Sequence, residues 1–196
     1  IHVTDNHIHA IGRIFPSACG ILLCHAFQCR LCHNEIHDTY YTGISLGWVW
    51  SREAHVTREN LVEKNHIYDI GQGMLSDMGG IYTLGVSPGT VLHHNHIHDV
   101  TRLERGREGY GGWGIYLDAG SSEIRVENNV VHDTRDGGLH LHNHSHPYGD
   151  LVNRQQPPIA EGRRINRGSR GAGVPGRLRA SVACGFDRGS VTTEHP

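Results

Sequence analysis

With 196 residues, a formal charge of −2 and a pI near 6.8, the chain has neither the basic excess of a nucleic-acid grip nor a cationic face seeking a membrane. No apolar run is long enough to span a bilayer, and 26 glycines beside 37% apolar residues favour short strands and tight turns over long helices. A chain of this length suits one domain, and its start at Ile1-His2-Val3-Thr4, without initiator Met or signal segment, reads as an internal fragment or a processed product.

The first element met along the chain opens a repeat. Asn6-His7-Ile8-His9 returns as Asn34-Glu35-Ile36-His37-Asp38, Asn65-His66-Ile67-Tyr68-Asp69, Asn95-His96-Ile97-His98-Asp99 and Asn129-Val130-Val131-His132-Asp133, at steps of 28, 31, 30 and 34 residues. Each copy is followed by a second patch: Gly20-Ile21, Gly43-Ile44, Gly80-Ile81, Gly114-Ile115 and Gly138-Leu139. The distance from Asn to Gly varies more than the distance from Gly to the next Asn, so insertions are expected mostly on one side of the repeat unit. Ile115 and Leu117 alternate with Tyr116 and Asp118, the period of a strand with one buried face. Such short strands cannot stand alone. Stacked about 4.8 Å apart they satisfy one another's backbone groups and line an interior with Ile, Val and Leu.

The predicted fold is therefore all-β, a right-handed parallel β-helix of about five rungs over residues 1–146. The recurring Asn is expected at a turn in left-handed geometry, its amide hydrogen-bonded to its counterpart one rung away. The histidines of the repeat (His9, His37, His98, His132) are expected to stack as an imidazole column on the surface rather than to bind metal. Cys24, Cys29 and Cys32 with His25 and His33 imitate a zinc ligand set, but strand register sends them to alternating faces. Cys19 and Cys184 complete an odd set of five, which leaves the redox compartment open. From Asp150 the repeat is absent and arginines accumulate, so residues 147–196 are expected to be an irregular or disordered tail or a non-native continuation.

Lining up the Gly-Ile patches puts Tyr82, Tyr116 and His140 at one outward position of three successive rungs, and Leu84, Asp118 and His142 at another. A groove over stacked strands suits a long polymer, and carbohydrate is the expected ligand. Asp118 should point outward, since an inward carboxylate would be desolvated without a partner. Asp77 lies just before the preceding rung's strand, close enough in register for two carboxylates to share a site. Paired carboxylates can hydrolyse a glycosidic bond, or they can simply cap a turn and solvate a strand end. Trp48 and Trp50 offer apolar faces to a sugar ring or cover for a rung edge.

The stretches Leu75-Ser76-Asp77-Met78-Gly79-Gly80-Ile81-Tyr82-Thr83-Leu84-Gly85 and Gly111-Gly112-Trp113-Gly114-Ile115-Tyr116-Leu117-Asp118-Ala119-Gly120-Ser121-Ser122, followed by Gly137-Gly138-Leu139-His140-Leu141-His142, resemble the core of β-helical glycoside hydrolases of family 141. That family contains α-L-fucosidase and xylanase activities. The resemblance covers roughly residues 1–146 and is densest from Asn65 to His142. It implies catalytic roles for Asp77 and Asp118, a sugar pocket lined by Tyr82, Trp113, Tyr116, His140 and His142, and a secreted or periplasmic location. An oligosaccharide or polysaccharide partner is expected, with no metal or other cofactor, no nucleic-acid or membrane partner, and a monomeric state. The sequence departs from the family at Leu139, where an aromatic is usual, and at Leu141, where a polar residue is usual; family members are also longer on both sides. Two other readings stay open: a polysaccharide lyase or uronate epimerase, which needs a basic group for the C5 proton where the chain has one lysine, Lys64, and a non-catalytic glycan-binding solenoid.

Overall fold

The computed structural model describes residues 1–104 and 111–142. The tail predicted from residue 147, with its arginines and Cys184, lies outside these residues.

Among the described residues, fifteen strands wind as five rungs of three. The first rung holds β1 (His2–Thr4), β2 (His7–Ile8) and β3 (Ile21–Leu23); the second holds β4 (Arg30–Cys32), β5 (Glu35–Thr39) and β6 (Ile44–Leu46). The third holds β7 (Leu61–Glu63), β8 (His66–Ile70) and β9 (Met78–Thr83), and the fourth β10 (Val86–His93), β11 (His96–Val100) and β12 (Gly112–Leu117). The fifth holds β13 (Ser122–Glu127), β14 (Val130–Thr134) and β15 (Gly137–Leu141). Every third strand pairs in parallel, giving three five-stranded sheets: β1-β4-β7-β10-β13, β2-β5-β8-β11-β14 and β3-β6-β9-β12-β15. This is the predicted parallel β-helix.

Register stacks like on like. Leu31, Val62, Leu92 and Val126 form one interior column, Ile36, Ile67, Ile97 and Val131 a second, and Ile44, Ile81, Ile115 and Leu139 a third. Each fully buried aliphatic side chain contributes about 1.5–3 kcal/mol. The two repeat motifs meet inside the tube: a Cβ on Gly43 would lie 2.7 Å from Ile67 Cγ2, and one on Gly80 would lie 2.5 Å from Ile97 Cγ2 and 2.9 Å from the Gly114 carbonyl oxygen. Glycine stands before each isoleucine of the third sheet because a branched residue of the second sheet, Ile36, Ile67, Ile97 or Val131, fills its space.

The asparagine ladder is present. Nδ2 of Asn6, Asn34, Asn65 and Asn95 donates to Oδ1 of the next rung's Asn at 2.8, 2.9, 2.9 and 2.9 Å. The second amide hydrogen of Asn34, Asn65, Asn95 and Asn129 goes to a backbone carbonyl of the rung before. One expectation is corrected: the left-handed conformation belongs not to the asparagines but to the residues just before them, Asp5, His33, Lys64, His94 and Asn128, with φ between 52° and 59°. The preceding residue makes the turn, which leaves the Asn extended enough to use its backbone N–H and side chain together. The predicted imidazole column also forms, with neighbouring rings of His9, His37, Tyr68, His98 and His132 inclined by only 3–9°.

A second correction concerns the third sheet. A strand with one buried face was expected, yet all residues of β9 and β12 are buried. Tyr82, Leu84, Trp113 and Tyr116 make a separate apolar cluster on the outer face, with Ala119 against it. The insertions fall where predicted, between the second and third sheets, except in the second rung, where residues 47–60 separate β6 from β7.

Candidate functional site

The outer cluster of the third sheet is where the candidate residues gather. Tyr116 pairs in register with Tyr82 on one side and His140 on the other, so the predicted column is real. Edge-to-face packing holds the Tyr82 and Tyr116 rings 5.0 Å apart, and Trp113 lies flat on His140 at 4.0 Å with the rings 6° from parallel. Tyr116 is 1% exposed and Trp113 and Tyr82 are each 7% exposed, so these rings form a packed floor, with the two tyrosine hydroxyls turned to the carboxylates.

Asp118 follows β12 on the same outward face as Tyr116 and is 8% exposed. Its Oδ2 accepts a hydrogen bond from the Tyr82 hydroxyl, and its Oδ1 lies 3.9 Å from Nδ1 of His142. Asp118 thus points away from the aliphatic core as expected, but into a covered polar niche rather than open water. Asp77 ends the loop before β9 in a left-handed conformation, φ 59°. Its Oδ1 accepts the Tyr116 hydroxyl proton at 3.1 Å. Asp77 and Asp118 are thus each held by the hydroxyl of one of two tyrosines whose rings pack edge to face.

The electrostatics follow from this crowding. Burial pushes the Asp77 carboxyl above its ordinary value, reinforced by the Asp118 charge and opposed by the Tyr116 hydrogen bond. Asp77 keeps contact with solvent at the rim, so this shift is screened in part. Burial first, and then the neighbouring carboxylates, raise the Tyr82 and Tyr116 phenols, which stay protonated donors. Burial against Trp113 and repulsion by His142 lower His140.

Sequence reasoning missed three contributors. Tyr41 donates its hydroxyl to the Asp77 carbonyl at 2.8 Å, and burial followed by the Asp77 charge pushes its phenol up to about 12. Tyr41 stands two residues before Gly43 as Met78 stands before Gly80, so alignment of the repeats assigns it to the core; its ring does pack there, and only the hydroxyl emerges. Thr83 and Ser121 join hydroxyls at 2.8 Å beside Asp118 and tie two rungs together. The third contributor is the second-rung insertion, which climbs the tube: a Cβ on Gly85 would lie 2.8 Å from the Val49 carbonyl, and one on Gly120 2.0 Å from the Ser51 carbonyl. That path carries Trp48 and Trp50, half-exposed and edge to face at 5.0 Å, toward the turn that follows Asp118. Spacing could not reveal this, because the loop belongs to the second rung in sequence and to the fourth in space.

The cysteine-rich stretch does not converge. Cys29 and Cys32 are buried, Cys29 donating weakly to the Phe27 carbonyl, while His25 and His33 are exposed.

Comparison with known proteins agrees with this architecture. A solved structure named "Glycoside hydrolase" superposes with a TM-score of 0.63 at 25% identity, covering 78% of this chain and 24% of that one. The chain thus spans about a quarter of that structure's length. No curated protein matches the chain. The family model of the right-handed β-helix region matches residues 53–153, more than half of the 196 residues and including every strand from β7 to β15. The chain belongs to the right-handed β-helix family.

Proposed function

We propose that the chain is part of a carbohydrate-active enzyme, a glycoside hydrolase in which Asp77 and Asp118 form the catalytic pair. The observation carrying this reading is a pair of carboxylates held side by side by two tyrosine hydroxyls, Asp77 by Tyr116 and Asp118 by Tyr82, on a face lined by packed aromatic rings. Glycoside hydrolysis uses two carboxyl groups roughly 5–9.5 Å apart, and an oxocarbenium-like transition state that a carboxylate stabilises. Asp77, raised by burial and by its neighbour, is suited to hold the proton for the departing glycosidic oxygen. Asp118 accepts from Tyr82 and faces His142, an arrangement suited to the nucleophile or to the base that activates water. Trp113 and His140 close the floor, and Trp48 and Trp50 supply apolar faces for the sugar chain.

The resemblance to an α-L-fucosidase and xylanase family, together with the glycoside hydrolase superposition, directs the substrate search to plant-type polysaccharides. The lyase and epimerase reading fits less well: Lys64, the chain's one lysine, sits at the turn between β7 and β8, away from the third sheet.

The test is reducing-sugar release from xylan and from fucosylated oligosaccharides, with Asp77→Asn and Asp118→Asn alongside the parent chain. Each substitution is expected to lower kcat by about 100-fold or more while leaving glycan binding within a few-fold, as expected for groups acting in proton transfer. Hydrolysis unaffected by both substitutions, or release of an unsaturated, ultraviolet-absorbing product, would remove the proposal.

A further inference from the structure

The outer face of the second sheet carries a different chemistry. By register, position one of the repeat stacks His7, Glu35, His66, His96 and Val130, and position three stacks His37, Tyr68, His98 and His132. The two columns are joined along diagonals that cross from one rung to the next. His7 meets His37 with Nε2 atoms 2.7 Å apart, and Tyr68 donates to Glu35 at 2.8 Å. His66 meets His98 at 2.8 Å and His96 meets His132 at 2.9 Å, again Nε2 to Nε2.

The last two diagonals lie on consecutive rungs, with His66 stacked on His96 and His98 on His132, each 4.9 Å apart. Ligating nitrogens of His66, His96 and His98 all fall within 4.8 Å of one another. Two carboxylates prepare these rings. Nδ1 of His98 lies 2.7 Å from Asp99 Oδ2, and Nδ1 of His132 lies 2.8 Å from Asp133 Oδ2. A carboxylate there holds the ring proton on Nδ1 and leaves the Nε2 lone pair facing the partner imidazole, the arrangement that orients metal-bound histidines.

We propose that His66, His96 and His98, with His132 adjoining, bind a single divalent late transition-metal ion, Cu2+ or Ni2+, on the second sheet. The donor spacing selects the ion. With metal–nitrogen bonds of about 2.0–2.1 Å, tetrahedral donors stand about 3.3–3.4 Å apart and donors at a right angle about 2.9 Å apart. The 2.8 and 2.9 Å contacts are imidazole hydrogen bonds without an ion, and the right-angled geometry of tetragonal Cu2+ or Ni2+ asks the rings to spread less than the tetrahedron of Zn2+ does. Trans donors stand about 4.1 Å apart, so His96 reaches the ion by a small rotation of its ring. The site lies on another sheet from Asp77 and Asp118 and stands or falls independently of the glycosidase reading.

The test is titration of the tag-free, chelator-stripped full chain with CuCl2, NiCl2 and ZnCl2 near neutral pH, with electron paramagnetic resonance of the Cu2+ form. The expected result is one tight equivalent of Cu2+, weaker Zn2+, and an axial spectrum with hyperfine structure from at least three nitrogens. His66→Gln with His98→Gln removes that equivalent, whereas His7→Gln with His37→Gln leaves it. Asp99→Asn, whose side chain accepts the left-handed backbone at φ 52°, keeps the fold and weakens binding about 10–100-fold. Absence of a tight equivalent, one that survives the His66/His98 double substitution, or Asp99→Asn binding as tightly as the parent would overturn the proposal.

Discussion

A single asparagine in the middle of the ladder makes more bonds than its size implies. Asn95 is 1% exposed; it donates to Asn129 and to the Val62 carbonyl, and its Oδ1 accepts from both the backbone and the side chain of Asn65. Asn95→Ala strands several buried groups and is expected to cost about 3 kcal/mol, measured as a lower urea midpoint at unchanged slope. Asn6, at the exposed end of the same ladder, should cost less than about 1 kcal/mol on the same substitution. Asp77 supplies a prediction of opposite character. Its carboxyl is raised in the fold, so the stability it lends is fully present below the unfolded value of about 3.9 and is lost as pH rises through the higher folded value. Asp77→Asn should therefore raise Tm relative to the parent at pH 7 and have little effect near pH 3.5, read by calorimetry at both pH values. The outward direction of Asp118 was legible from the cost of burying a carboxylate, and its place beside His142 from alignment of the repeats. The Tyr41 contact was not, because a side chain with its ring in the core and its hydroxyl in the site looks like any core residue.

At the scale of the element, the two repeat motifs explain each other. Gly80 is forced by Ile97, the branched residue of the adjacent sheet, and by the Gly114 backbone above it. Gly80→Ala is expected to cost about 1–3 kcal/mol through overpacking, and combining it with Ile97→Ala should show a coupling of about 1 kcal/mol or more in a double-mutant cycle. Strictly additive costs would mean that the glycine serves the backbone alone. The strands themselves were legible because a fixed motif spacing survives insertion on one side. What alternation could not show was the burial of β9 and β12 on both faces. Outward Tyr and Trp read as exposed in a single strand, and only the stacking of three rungs packs them against one another.

For the molecule as a whole, histidine content sets the response to acid. Burial, as the first cause in each, lowers His66, His93 and His140 and brings His96 down to about 4. A depressed histidine lends stability above its unfolded value of about 6.5 and loses it as pH falls toward the folded value. In chelator-containing buffer, Tm should fall steadily from pH 7 to pH 5, and His96→Gln should flatten that slope. A Tm that rose over the same interval would contradict this account of the stacked rings.

The excursion between β6 and β7 works as a ruler. It leaves the second coil and touches the fourth, a climb of about 10 Å at the usual strand spacing. Coils of a repeating solenoid are in principle interchangeable, and one could be excised and the ends rejoined. Here, removal of the third coil would leave an arm cut for two steps alongside a staircase of one, and Trp48 and Trp50 would overshoot the aspartate they now approach.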